Sequence, residues 1–211
     1  MLQLGEPFAG LPAAFVRGVS LEPTSAAPGG VIECVDLKLT PPGAHLLFGV
    51  SMAELAGRAV DLGDLVGESR VARLLSRVAS AGSWVARLEV AEAFLLELAS
   101  TSRTSLDPRA GWCWDELCRT GGQARIGRLA DEIGWSHRHL VAEFRRLVGV
   151  TPKQAARIVR FHHTIAVLRQ SPPARRLAVT AVECGYYDQS HLCREFLELG
   201  GMTPAEAAAG L

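Results

Sequence analysis

The sequence lacks the features that mark secreted, membrane and metal-binding proteins. Its five cysteines include no CxxC pair, which argues against a disulfide framework or a zinc knuckle. Its start has no basic segment followed by a long apolar core, and no apolar run approaches the roughly 20 residues that span a bilayer. We therefore expect a cytoplasmic protein that has no membrane span and needs no metal or cofactor.

A net charge of zero hides an asymmetry between the two halves of the chain. Before Arg109 there are 8 basic and 12 acidic residues, and from Arg109 onward there are 14 basic and 10 acidic residues. The segment from Ser136 to Arg176 contains nine lysines and arginines and only one acid, Glu143. Such a segment favours a polyanionic partner or a solvated face.

The first hundred residues predict a small α+β domain. Residues 1–30 are rich in Gly, Pro and Ala and predict loops or an incomplete element. The alternation over 31–40 predicts a strand that Pro41-Pro42-Gly43 ends. Helical periods follow over 52–60, 68–80 and 84–100. In the last of these helices the expected buried stripe is Val85, Leu88, Ala91, Leu95 and Leu98.

We divide the chain into three parts from these patterns. Residues 1–100 form the partial α+β domain, for sensing or dimerisation, and residues 101–108 are a polar linker that contains Pro108. Residues 109–211 are all-α, so the predicted fold class is mainly α. Cys113, Cys118 and Cys184 are expected to be small core residues of this part.

The second half contains an internal repeat, residues 126–157 against 177–209. Ala130 and Gly134 match Ala181 and Gly185 at an offset of 51, and five later positions match at an offset of 52. Those five pairs are Leu140 and Leu192, Phe144 and Phe196, Gly149 and Gly201, Thr151 and Thr203, Pro152 and Pro204. Each copy predicts a helix-turn-helix, with Gly134 or Gly185 at the turn and Ser136 or Asp188 as the cap of the second helix. A long helix over 151–170, stopped by Ser171-Pro172-Pro173, joins the two units.

A helix fits the major groove of B-DNA, so two such units predict contacts to successive major grooves. In the first unit His137, Arg138, Val141 and Ala142 are expected to face the bases, with Arg138 suited to guanine. Four arginines are expected to neutralise phosphates: Arg145, Arg146, Arg157 and Arg160.

The second unit offers Gln189, Ser190, Cys193 and Arg194 on its outward face. Gln189 suits adenine and Arg194 suits guanine. From Leu177 to the end of the sequence, Arg194 is the only lysine or arginine. The same stretch contains five acids: Glu183, Asp188, Glu195, Glu198 and Glu206. We therefore expect weaker DNA binding by this unit.

The segments GWSHRHLVAEFRRLVGVTP and GYYDQSHLCREF, followed by GMTP, resemble the AraC/XylS family of bacterial transcription regulators. The resemblance covers roughly residues 109–208 and implies a non-enzymatic, sequence-specific activator or repressor that binds double-stranded promoter or operator DNA. It also implies RNA polymerase as a further partner, a small-molecule effector or a second copy of the chain bound through the N-terminal domain, and a cytoplasmic location in association with the nucleoid. Three positions depart from the family pattern: Ala142, Glu198 and Ala207-Ala208.

Residues 39–67 and 84–99 resemble the companion domain of some family members, in which a longer β-rich region precedes this point. We therefore expect an N-terminal domain that is truncated, or a start codon assigned too late. The alternative function is a helical interaction protein that kept the fold and lost DNA binding. Catalysis by Asp188, His191 and Cys193 is disfavoured, because an exposed helix offers neither a cleft nor an oxyanion site.

Overall fold

The computed structural model describes residues 11–23, 33–170 and 177–209, and the backbone alone of residues 2–4. Contacts divide the chain into two compact units. The first comprises Met1–Val19, Ser25–Leu106 and Arg146–Gly149, and the second comprises Ser20–Thr24, Asp107–Arg145 and Val150–Leu211.

The first unit contains two small antiparallel sheets. Strand β1, Leu2–Leu4, pairs with β3, Glu33–Val35, and strand β2, Phe15–Arg17, pairs with β4, Ala59–Asp61. The strand predicted over 31–40 is thus confirmed only at 33–35; residues 31–32 lie outside the described residues and 36–40 are not in a strand. The expectation of loops up to residue 30 is wrong at β1 and β2.

Pro41-Pro42-Gly43 begins a helix and does not end a strand, since β3 already ends at Val35. Helix α1 spans Pro41–Phe48, with the Thr40 hydroxyl accepting the Gly43 N–H and proline at the first helical position, where no amide donor is needed. The helix predicted over 52–60 is also shorter than expected. Helix α2 spans Met52–Leu55, and the chain then enters strand β4.

Three further helices complete the first unit: α3 at Leu62–Val66, α4 at Glu68–Ser80 and α5 at Trp84–Thr101. Helix α4 buries Val71, Leu74 and Val78, as its period predicts. In α5 the predicted stripe is wrong in the first turns, where Val85 and Leu88 are 66% and 49% exposed. The buried face of α5 consists of Ala91, Phe94 and Leu98.

The second unit is built from helices, which confirms the predicted mainly α fold class. Its helices are α6 Pro108–Arg119, α7 Ile126–Glu132, α8 His137–Val148, α9 Pro152–Gln170, α10 Leu177–Glu183, α11 Gln189–Gly200 and α12 Pro204–Ala209. Helix α9 is the predicted connecting helix; the residues predicted to stop it, 171–173, lie outside the described residues.

The two repeats fold alike at the turn between their helices. Gly134 and Gly185 have φ angles of +70° and +80°, a region that residues with a side chain rarely adopt. The Ser136 hydroxyl accepts the His139 N–H at 3.2 Å, and the Asp188 carboxylate accepts the His191 N–H at 2.7 Å. Both predicted caps therefore hold the first turn of α8 or α11.

The shared apolar positions of the repeat form the cores of the two helix pairs. Leu140 and Phe144 of α8 and Leu192 and Phe196 of α11 are fully buried. Their burial places the opposite sides of both helices at the surface. The prediction of core cysteines holds for Cys113 and Cys184 and is wrong for Cys118, which is exposed.

Replacing Gly122 with alanine should destabilise the protein more than replacing Gly134 does. Both glycines have a positive φ, which costs alanine about 1–2 kcal/mol. A Cβ at Gly122 would also lie 2.2 Å from the Ala156 carbonyl oxygen of α9, whereas a Cβ at Gly134 meets nothing within 4 Å. We expect losses of about 2–5 kcal/mol for Gly122→Ala and about 1–2 kcal/mol for Gly134→Ala in urea unfolding. Equal losses would contradict the close approach of this turn to α9.

Candidate nucleic-acid interface

The side of α8 opposite its core stripe presents the residues predicted to face bases. His137, Arg138 and Ala142 are exposed and Val141 is half-buried. Arg138 and Arg145 form no hydrogen bond or ion pair with any residue that the structure describes, and both are exposed. Their guanidinium groups can therefore reach an external partner without breaking a hydrogen bond or ion pair to a described residue.

The start of α8 is held in place by aromatic contacts. The Trp135 side chain is buried, and its ring meets the His139 ring edge to face at 4.4 Å between centroids. The guanidinium of Arg109 lies 4.9 Å from the centroid of the same ring. Arg109 also donates hydrogen bonds to Asp107, which lower the pKa of that carboxyl. These contacts, which sequence analysis missed, fix the turn from which Arg138 projects.

Helix α11 repeats the exposure of α8 at the four positions predicted to contact bases. Gln189, Ser190 and Arg194 are exposed and Cys193 is half-buried. Each lies 52 residues after its counterpart in α8, so His137, Arg138, Val141 and Ala142 correspond to Gln189, Ser190, Cys193 and Arg194. All four pairs share the same degree of burial. The structure thus brings both predicted sets to equivalent faces of the two helices.

Three arginines predicted to contact phosphates have partners within the protein. Arg146 groups with the first unit, in which its Nη1 lies 2.9 Å from His45 Nε2. Arg157 Nε and Arg160 Nη2, both on α9, lie 3.1 Å and 2.9 Å from the Glu195 carboxylate of α11. Glu195 is only 3% exposed. The structure thus gives these three arginines roles inside the protein that the sequence did not indicate.

Further groups complete this ion cluster, which consists of Arg157, Arg160, Glu195 and Glu198. Arg157 Nη2 donates to Glu198 at 2.5 Å. Partial burial disfavours the charged form of Arg157, but the hydrogen bonds to both carboxylates outweigh it and raise the pKa of its guanidinium. The Arg160 guanidinium also lies 4.9 Å from the centre of the Tyr186 ring. The cluster therefore ties the connecting helix α9 to α11.

The acids of the second unit are engaged in structure more than the sequence suggests. Glu195 and Glu198 belong to the ion cluster, and Asp188 caps α11. Glu206 accepts the Thr203 N–H at 2.6 Å and so caps α12. Glu195 and Glu198 are therefore compensated by arginines, whereas Asp188 and Glu206 keep their negative charge while they cap helices. The expectation of weaker DNA binding by this unit stays a prediction.

Asp188 and His191, two of the three residues that resemble a catalytic set, also form hydrogen bonds to backbone groups. The Asp188 carboxylate accepts a backbone N–H, and the Tyr187 N–H lies 3.3 Å from His191 Nδ1, which accepts it. No hydrogen bond joins either side chain to the Cys193 thiol within the described part of the chain.

Among the described residues no cluster of three or more His, Cys, Asp or Glu is placed to bind a metal. None of the described helices has the length and apolar composition needed to cross a membrane.

Comparison with known proteins identifies the second unit. The family model described as a helix-turn-helix domain matches residues 129–209, from Leu129 within α7 to the end of α12. This match confirms the predicted resemblance for that part of the chain. No curated protein matches the sequence.

One solved structure is similar to the chain, with a TM-score of 0.43 and 14% sequence identity. It is the crystal structure of a ToxT variant, without ligand, from Vibrio cholerae, and the match covers 71% of this chain and 55% of that chain. The chain thus spans about half the length of the protein that it matches.

Removing the charge of Glu195 should cost much more stability than removing that of Glu198. Glu195→Gln leaves two guanidiniums without their shared buried carboxylate, for which we expect a loss of about 2–4 kcal/mol. The side chains of Arg157 and Arg160 remain 31% and 15% exposed, which keeps the loss below that of a fully buried pair. Glu198, at 52% exposed, is the matched control, and Glu198→Gln should cost less than about 1 kcal/mol. Urea unfolding of both variants measures the difference; losses of similar size would contradict the central role of Glu195.

Proposed function

We propose, on the premise that residues 129–209 form an AraC-type helix-turn-helix domain, that this chain is a sequence-specific DNA-binding transcription regulator. The observation that supports it best is the matched exposure of four positions on α8 and their counterparts on α11. Buried positions of the repeat are explained by packing, but equivalent outward positions on two helices favour one common partner. Duplex DNA offers such a partner, because its major groove recurs at each helical turn.

In this proposal each helix contributes one arginine to base recognition, at different positions of the repeat. Arg138 of α8 corresponds to Ser190, and Arg194 of α11 corresponds to Ala142. An arginine forms two hydrogen bonds with the O6 and N7 atoms of guanine, and Gln189 can do the same with adenine N6 and N7. The two helices would therefore prefer different half-sites, and the operator would not be a simple direct repeat.

Phosphate contacts fall to Arg145, whose guanidinium has no partner among the described residues. We assign Arg157 and Arg160 to the support of α11, since both are paired with Glu195. Arg146 would have to leave His45 to reach a phosphate. The alternative, an interaction protein that has lost DNA binding, was favoured by the acids of the second unit, most of which have structural partners.

The first unit is the part that would regulate DNA binding. We propose that it binds a small-molecule effector or a second copy of the chain, and that RNA polymerase is a further partner at the promoter. The family resemblance supports these partners; the contacts of the described residues identify none of them.

Substitution of Arg138 and Arg145 should separate base recognition from phosphate binding. On a duplex selected from random sequences, Arg138→Ala should lose about 1–3 kcal/mol of discrimination against a changed guanine. Arg145→Ala should weaken all sequences alike and reduce the slope of log K against log salt by about 0.9. Arg77→Ala, at an exposed position of α4 in the first unit, is the control and should change neither quantity. DNA binding that is unaffected by both second-unit variants would overturn the proposed function.

A further inference from the structure

A groove of about 700 Å³ lies within the second unit, beside α11. Helix α9 contributes Lys153, Arg157 and Arg160 to its lining, and the segment between α6 and α7 contributes Gly122 and Gln123. The groove therefore lies between the first repeat and helix α11 of the second repeat. Both repeats border it.

The lining of the groove is positively charged after its internal ion pairs are considered. It carries four permanent cations, two carboxylates and His191. Both carboxylates, those of Glu195 and Glu198, are hydrogen bonded by Arg157 or Arg160. The remaining cations are Lys153 and Arg194, which are exposed and pair with no residue in the described ranges 11–23, 33–170 and 177–209. The groove thus offers two uncompensated positive charges.

The position of Arg194 relates the groove to the proposed DNA-binding face. Arg194 lines the groove and is also the counterpart of Ala142 on the outward face of α11. The groove consequently opens next to that face. Two successive major grooves are separated by a minor groove, which is bounded by the two sugar-phosphate strands. A protein that occupies both major grooves must therefore meet a phosphate strand between its two helix-turn-helix units.

From this arrangement we infer that the groove binds the phosphodiester backbone between the two half-sites, with Lys153 as a phosphate contact. The inference rests on the DNA-binding function proposed above. Lysine is suited to this position because its ammonium is a flexible point charge that binds phosphate without selecting a base. The ion cluster supports the site indirectly: Arg157 neutralises Glu198, whose carboxylate would otherwise repel the strand at the rim of the groove.

The chain has only two lysines, Lys38 and Lys153, which makes chemical protection a direct test. Both side chains are exposed, so both should react with an amine-acetylating reagent in the free protein. The probe is a duplex of random sequence of roughly 30 base pairs, about three helical turns, at low salt. With the full-length protein bound, acetylation of Lys153 should slow several-fold, as followed by peptide mass spectrometry. Acetylation of Lys38 should not change and serves as the control within each molecule.

A second measurement uses the Lys153→Gln variant, with Lys38→Gln as its matched control. Loss of one phosphate contact should lower the salt slope by about 0.9, so that the affinity lost between 50 and 200 mM salt becomes about 3.5-fold smaller. Lys38→Gln should keep the slope of the natural protein. The loss of affinity should be equal for random and selected duplexes, because a phosphate contact carries no sequence information.

The outcomes separate this inference from the function on which it rests. If DNA binds and depends on Arg138, but Lys153 is acetylated at the same rate with and without DNA, the groove does not hold the backbone and the inference is wrong. If Lys153→Gln leaves the salt slope unchanged, the same conclusion holds. If no duplex binds at all, the proposed function itself is wrong, and the inference is overturned together with it.

Discussion

A buried carboxylate needs cations, and in this protein that requirement links the connecting helix to the second helix-turn-helix unit. Glu195 has 3% of its surface exposed, and Arg160 donates to both of its oxygens while Arg157 donates to one. A carboxylate at this depth would be strongly disfavoured without such partners. The position of α11 on α9 therefore depends on this ion cluster as well as on the packing of Leu192 and Phe196. Any DNA contact made from α11 inherits that dependence.

The ion cluster also changes what the charges of the sequence mean. From sequence alone, the arginines of the basic segment predict a DNA-binding surface. The acids of the neighbouring segment predict a negative surface that would weaken DNA binding. In the structure Arg157 and Arg160 of the basic set neutralise Glu195 and Glu198 of the acidic set, across 35 to 41 residues. On the two recognition helices and in the groove, the exposed cations that pair with no described residue are Arg138, Arg145, Lys153 and Arg194. Two of these cations lie on α8, one on α11 and one on α9, so they extend along both repeats.

The sequence predicts the second unit well because its signals are local and occur twice. Glycine at the turns, Ser136 and Asp188 as caps, and the stripe of leucine and phenylalanine each specify a feature within a few residues. The first unit was harder, since its strands have three residues each and are too short to show an alternation. The buried stripe of α5 was misassigned because only the C-terminal part of this 18-residue helix packs on the core. The partners of Arg157 and Arg160 could not be found by periodicity, since they lie far away along the chain.

Our central proposal is that the two helix-turn-helix units contact one duplex through both α8 and α11. Hydroxyl-radical footprinting on a selected duplex tests it most directly. The natural protein should protect two segments on one face of the DNA, with centres about 10 base pairs apart. Glu195→Gln, at a temperature where circular dichroism shows it to be folded, should keep one protected segment and lose most of the other. A single protected segment for the natural protein, or two equally protected segments for Glu195→Gln, would contradict the account.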